Sequence, residues 1–238
     1  MIVQACINGA RPSEFHPALP LTADAMARDA AACIQAGAGE IHLHPRADHG
    51  AESLHAVDKT VAALRKACPG TLLGVSTGAW IETSPAETRT AIAAWRELPD
   101  YASVNLSEPD APAVMDLLRE RGVGIEAGLA SVADAERLVA LPEHHRILRV
   151  LIEIEQQDPD EAITEAEGIE AVLDRAALRK PILLHGFDAT VWDFVRRAGK
   201  RRWSTRVGLE DGKTLPDGAF AGGNAALVAA ACDLIRSV

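Results

Sequence analysis

Two histidines one residue apart, His42 and His44, close a short apolar run that continues into Pro45 and Arg46. On an extended strand residues i and i+2 point to the same face, so the two imidazoles project together. Neutral imidazole is a favoured zinc ligand, and a catalytic zinc takes three protein ligands and leaves one position open. A third ligand must come from elsewhere in the chain. The best candidate is remote, in Arg206-Val207-Gly208-Leu209-Glu210-Asp211-Gly212, where an apolar strand ends in two carboxylates. Taken alone, H-x-H is more often polar packing than a metal pair, and Arg206 with Glu210 would serve equally as an ion pair inside a core. The readings part on whether the fold brings the three side chains together.

Composition narrows the classes. With 238 residues, 48% hydrophobic and 24% charged, the chain is long enough to bury a full core. No Pro/Ser-rich linker divides it, so residues 1–238 are expected to form a single domain. The apolar runs are too short to span a bilayer, and the N-terminus lacks a charged leader with a cleavage site, so a cytoplasmic location away from membranes is expected. Lys and Arg number 24 against 34 Asp and Glu, a net charge of −10 that disfavours nucleic-acid binding. Cys6, Cys33, Cys68 and Cys232 lack C-x-x-C spacing, which fits buried, reduced thiols rather than a disulfide framework.

Extended apolar segments alternate with helical ones eight times along the chain. The strands are expected at residues 3–8, 41–44, 72–76, 101–106, 124–129, 147–154, 181–185 and 203–209. The helices are expected near 22–36, 54–67, 85–95, 112–121, 132–140, 159–178, 189–198 and 223–235, with stops such as Gly37 and Pro69-Gly70. This pattern points to an α/β fold of the closed (β/α)8 TIM barrel type, not an open doubly wound sheet. Asn8-Gly9-Ala10-Arg11-Pro12 after the first strand is not a G-x-G-x-x-G turn, and no Walker A sequence occurs.

A barrel of this kind builds its active site at the C-terminal ends of its strands. His42 and His44 close strand 2, Ser76-Thr77-Gly78 closes strand 3, Asn105 closes strand 4, Glu126 lies on strand 5 and His185 closes strand 7. Arg206, Glu210 and Asp211 close strand 8, which neighbours strand 1 and then strand 2, so Glu210 is within reach of the two histidines. Arg206 and Glu210 share a face by their spacing of four, while Asp211 is expected to face differently. Other readings compete at several positions. Glu126 serves either as an acid/base or as a barrel-core carboxylate paired with an arginine, and Ser76-Thr77-Gly78 either contacts substrate or only caps a strand. His185 is a pocket residue or a core histidine. Glu153 and Glu155 alternate as if to face inward, but a solvated loop or a subunit contact is the favoured reading. The basic run at residues 196–202 and His144-His145 fall on the opposite face of the barrel.

In order along the chain, Asn8-Gly9-Ala10, Ala36-Gly37-Ala38, His42-Leu43-His44-Pro45-Arg46, Ser76-Thr77-Gly78 and Arg206-Val207-Gly208-Leu209-Glu210-Asp211 resemble the β-keto acid cleavage enzymes, zinc-dependent (β/α)8 barrels. The resemblance implies that His42, His44 and Glu210 hold Zn2+, that Ser76 and Arg206 position the substrate carboxylate, and that Asp211 works with Arg206 in catalysis. It implies acyl exchange between a β-keto acid and acetyl-CoA, releasing acetoacetate and a new acyl-CoA. Chelation of a β-keto acid by zinc would stabilise the developing enolate. Asp211 would act as general base, kept ionised by Arg206. Asp211, Arg206 and Glu126 are thus the candidate catalytic residues, and Ser76, Thr77, Gly78, Asn105 and Arg11 the candidate substrate-binding ones.

The chain departs from the family pattern at Arg11, where many members carry a glutamate. An arginine there suits an anionic substrate or the phosphates of a CoA thioester. The Ala-rich last helix, around residues 225–231, suits close packing between subunits of a homo-oligomer. Two other classes stay open: a metal-dependent hydrolase, although such sites usually add histidines after strands 5 and 6, and a catalytically silent metabolite-binding barrel that keeps the metal for structure.

Overall fold

The computed structural model describes residues 1–237, and its elements alternate strictly. The first half comprises β1 (Val3–Cys6), α1 (Ala23–Gln35), β2 (Glu40–Leu43), α2 (Val57–Ala67), β3 (Leu72–Ser76), α3 (Pro85–Ala94), β4 (Tyr101–Asn105) and α4 (Ala111–Glu120). The second comprises β5 (Gly124–Leu129), α5 (Val132–Ala140), β6 (Arg149–Ile154), α6 (Pro159–Arg175), β7 (Ile182–Gly186), α7 (Val191–Arg201), β8 (Ser204–Val207) and α8 (Asn224–Arg236). Every strand pairs in parallel with the next, and β8 returns to β1 through Gln4 opposite Arg206, closing a (β/α)8 barrel.

The alternation along each strand explains the closure. Ile41 and Leu43, Leu73 and Val75, Val150 and Ile152, and Val207 are fully or almost fully buried. They pack against the helices as the hydrophobic layer between strands and helices. Many of the alternate positions, among them Glu40 and His42, Ser76, Arg149 and Glu153, and Arg206, carry polar side chains that meet across the barrel interior. The helices answer with matching stripes: on α1, Met26, Ala30 and Cys33 lie at helical spacing and are fully buried. Burying a Met side chain of this kind contributes about 1.5–3 kcal/mol. Thr22 caps α1 with its own side chain, which accepts a hydrogen bond from the Ala25 N–H, but Ala25 has no side-chain acceptor to return the bond and complete a capping box.

The lower part of the interior is filled by a polar plug. Gln4 Nε2 donates to Glu40 Oε1 and to the Tyr101 hydroxyl, both at 2.9 Å. Arg149 is ion-paired with both Glu40 and Glu126, and its guanidinium lies 4.7 Å from the Tyr101 ring centroid. Buried charges persist only when paired, and here two carboxylates from β2 and β5 share one guanidinium from β6.

Among the described residues no helix is long and apolar enough to cross a membrane. The four cysteines are buried and free. The basic run of α7 sits opposite the strand ends, where Arg197 and Arg201 pair with Glu170 of α6. β8 is shorter than the apolar pattern suggests, because after Val207 the chain turns, with the N–H groups of Asp211 and Gly212 both donating to Gly208 O.

Candidate metal centre and active site

Two buried amides lock the first and last strands around the mouth of the barrel. The Asn8 side chain accepts from the His44 N–H at 2.9 Å and donates to His44 O at 2.9 Å, so it clips the end of β2 to the chain leaving β1. Asn224, at the start of α8, accepts from the Leu209 N–H at 2.7 Å and donates to Ile7 O at 2.8 Å, fixing the turn after β8 to the same segment. Between them sits Gly9, at a φ of +55°, where an added Cβ would lie 2.4 Å from Glu210 Cγ. Only glycine lets Glu210 lean in over the first loop.

The result is a convergence of the ends of two strands, β2 and β8, on one point. One ligand atom each from His42, His44 and Glu210 lies within 4.8 Å of the others, and all three residues are buried. His44 Nε2 stands 3.5 Å and His42 Nε2 3.9 Å from Glu210 Oε1. Glu210 Oε2 and His42 Nδ1 are buried without a hydrogen-bond partner, a costly state that a cation would relieve. Two imidazoles and a carboxylate match the donor set of a catalytic zinc.

The charges are strongly interdependent. Burial alone would raise Glu210, but the Arg206 guanidinium, His44 and His42 hold it well below the usual carboxylate range. Burial pushes His42 well below the ordinary imidazole value, against the pull of Glu210. His44 is pushed up to about 9, because Glu210 on one side and Glu52 on the other outweigh its burial.

Next to the candidate metal ligands lies a second charged group. Arg206 Nη2 donates to Glu210 Oε1 at 2.7 Å and to Asp211 Oδ1 at 3.0 Å. Asp211 therefore does not face away as strand alternation predicts. The strand has ended at Val207, and the tight turn on Gly208 carries both carboxylates inward. Behind Asp211 stands His185, its Nδ1 3.4 Å from Asp211 Oδ1 and its Nε2 3.6 Å from Glu153 Oε2. Burial and Arg206 oppose protonation of His185, but Asp211 and Glu153 prevail and raise it. His185 thus stands buried beside Asp211 and does not itself line the cavity. Glu153, expected in a solvated loop or subunit contact, instead faces the interior of β6 beside His185, while Glu155 lies beyond the strand end on the rim.

His42, His44, Glu210, Arg206 and Glu153 open into a cavity of about 590 Å³, while Asp211 and His185 are buried and do not line it. Ser76, Asn105, Arg11 and Arg206 line it with His42, His44 and Glu210, as expected. Thr77 and Gly78 do not: Thr77 Oγ1 donates to Ser103 O at 2.7 Å, and the Gly78 N–H donates to Ser76 Oγ at 3.2 Å, so both hold Ser76 in place. Glu126 lies outside the cavity lining, fully buried in the polar plug on Arg149. The structure thus gives it the barrel-core position and no path to a reacting atom, because Glu126 pairs across with Arg149 in the interior register of β5 and β6. Arg11 Nε donates to Glu210 O at 2.9 Å and its guanidinium faces Asp188 at 3.1 Å, so it also ties the first loop to the last two.

A family model described as beta-keto acid cleavage enzyme matches residues 1–238. The chain belongs to that family. Two curated relatives are named 3-keto-5-aminohexanoate cleavage enzyme. The one from Fusobacterium nucleatum subsp. nucleatum is 38% identical and the one from Acetoanaerobium sticklandii 37% identical, each over 81 residues, or 33% of this chain and 30% of the relative. Among solved structures, a ternary complex of ObcA with C4-CoA adduct and oxalate superposes with a TM-score of 0.76 at 19% identity, covering 93% of this chain and 64% of ObcA. A type I 3-dehydroquinate dehydratase from Clostridium difficile gives 0.67 at 14% identity, covering 100% and 93%. At such identities these likenesses show the barrel alone. The chain spans less than two thirds of ObcA, and its match to the curated relatives covers under a third of their length.

Sequence reasoning missed Asn8, Asn224 and Glu52. Asn8 and Asn224 give no periodic signal, since each works by bridging segments distant in sequence. Glu52, whose Oε1 accepts from His44 Nδ1 at 2.5 Å, could have been sought as the carboxylate that a metal-binding histidine commonly requires.

Proposed function

We propose that the protein is a zinc-dependent β-keto acid cleavage enzyme that exchanges acyl groups between a β-keto acid and acetyl-CoA, yielding acetoacetate and a new acyl-CoA. The observation that carries this reading is the meeting of His42, His44 and Glu210 beside the buried Arg206–Asp211 pair at the mouth of the barrel. Zinc held there would supply Lewis acidity toward the keto and carboxylate oxygens of the substrate.

The chain's own residues account for the rest. Ser76, its hydroxyl oriented by the Gly78 N–H, and Arg206 bind and orient the substrate carboxylate. Asp211 takes the proton whose loss makes the substrate carbon nucleophilic. Arg206 keeps that carboxylate aimed, and His185 holds it from behind. Arg206, Asp211 and His185 are almost wholly buried, which strengthens each of these charge contacts. Asn105 lines the opposite wall, where the acyl chain of the keto acid would lie.

A hydrolase reading has less support. β5 and β6 end in Gly128-Leu129 and Glu153-Ile154, with no imidazole to add to the metal ligands. A silent binding barrel would have no need for a buried base held by both an arginine and a histidine. The test is to incubate zinc-loaded protein with acetyl-CoA and a panel of β-keto acids. Thioester exchange that disappears in Asp211→Asn supports the proposal; release of free CoA without exchange, or no turnover with any keto acid, contradicts it.

A further inference from the structure

Glu52 does more than accept a hydrogen bond from His44. Its backbone forms an antiparallel bridge with Arg46, only two residues beyond His44, and the loop between them is closed by the hydrogen bond from Ala47 N to Ala51 O at 2.8 Å. Arg46 in turn donates to Gly9 O at 2.6 Å and to Arg11 O at 3.0 Å, tying this hairpin to the first loop. The carboxylate is therefore set on a braced element, with a side chain only 12% exposed. One oxygen accepts from His44 Nδ1 at 2.5 Å, and the other accepts from the indole Nε1–H of Trp80 at 3.1 Å.

Trp80 lies on the loop after β3, immediately past the segment that carries Ser76. It is 55% exposed, unusually open for so large an apolar side chain, yet its ring lines the cavity and stacks toward His44 at a centroid distance of 6.5 Å and an interplanar angle of 25°. The indole also lies against the backbone of Gly78, where an added Cβ would come within 2.4 Å of the ring. Glycine there lets the ring fold down over the mouth. Among the described residues, only Glu52 hydrogen-bonds the indole N–H.

We infer that Glu52 is a positioning residue that couples metal uptake to the placement of Trp80 as the roof of the substrate pocket. This deepens the zinc-dependent reading and rests on it. An ionised carboxylate can only accept, so it fixes the proton of His44 on Nδ1 and leaves Nε2 directed at Glu210 and the metal position. The same carboxylate must stay in place for the indole to hold its hydrogen bond. A change at the metal ligand therefore reaches the roof through a single shared group.

The experiment is a chelator-competition titration of zinc into the metal-free full chain, read together with tryptophan fluorescence, for wild type, Glu52→Ala, Glu52→Gln and Trp80→Phe. Zinc affinity should fall about 10- to 100-fold in Glu52→Ala, the usual effect of losing such an outer carboxylate, with partial rescue in Glu52→Gln. Zinc should change the emission of wild type but not of Trp80→Phe, which keeps the other three tryptophans and, on an exposed loop, has little cause to misfold. In Glu52→Ala saturated with zinc that emission change should be lost. Wild-type zinc affinity in Glu52→Ala, or an emission change that persists there at saturation, overturns the coupling while leaving the metal site intact. A wild-type chain that takes up no zinc overturns the zinc-dependent reading itself, and the coupling with it.

Discussion

At the scale of single residues, the site depends on groups that anchor the ligands as much as on the ligands. Asn8 satisfies both backbone groups of His44, so Asn8→Ala leaves a buried N–H and C=O without partners. The expected cost is about 1–3 kcal/mol, read as a lower midpoint in urea unfolding, together with weaker zinc binding because β2 is freed from the first loop. His185 is expected to matter for turnover and not for metal uptake. His185→Gln should lower kcat at least about tenfold by loosening Asp211, with zinc stoichiometry unchanged. Unaltered kcat in that variant would count against Asp211 as the base. His42, His44, Glu210 and Arg206 are legible in the sequence, because strand spacing and chain order suffice to bring them to the same mouth, whereas the inward turn of Asp211 is not. Glu52 and Asn8 are not, since their roles follow from loop paths that periodicity does not encode.

At the scale of elements, the alternation of apolar strands and amphipathic helices transfers almost directly from sequence to structure, and the departures come at strand ends. Asp211 turns inward because β8 gives way to a turn on Gly208, whereas Glu153 lies within the strand expected there and faces inward with its alternation, not into a solvated loop. The contact between α1 and α8 carries a testable charge. Asp29, on α1, accepts a hydrogen bond from Asn224 at 2.7 Å, and burial raises its carboxyl from 3.8 to about 6 despite that bond. The folded state therefore holds its proton more tightly than the unfolded chain. The stability this contributes is complete below about pH 4 and lost as pH rises through about 6. Asp29→Asn, whose amide oxygen can still accept from Asn224, should stabilise the protein near pH 7.5 by at most about 3 kcal/mol, reduced by solvent screening, and have little effect at pH 4. Thermal melts at the two pH values measure it. Equal shifts at both would show that Asp29 does not titrate in this range.

At the scale of the molecule, the barrel separates chemistry from support along its axis. The upper layer holds the candidate metal ligands and Asp211, while the lower layer is the plug of Gln4, Glu40, Tyr101, Glu126 and Arg149. Sequence alone leaves Glu126 open between these layers, because strand alternation fixes the side it faces but not its height. Arg149→Met should destabilise by about 3–5 kcal/mol, since it leaves two buried carboxylates without their shared cation. Zinc content of the protein that still folds should stay at the wild-type level. The most direct test of the central claim is elemental analysis of metal-stripped protein after incubation with zinc and removal of the excess, for wild type, His42→Ala and Glu210→Gln. The account predicts about one zinc per chain in wild type and a near-complete loss in both variants; wild type that retains no zinc, or variants that retain as much as wild type, would contradict it.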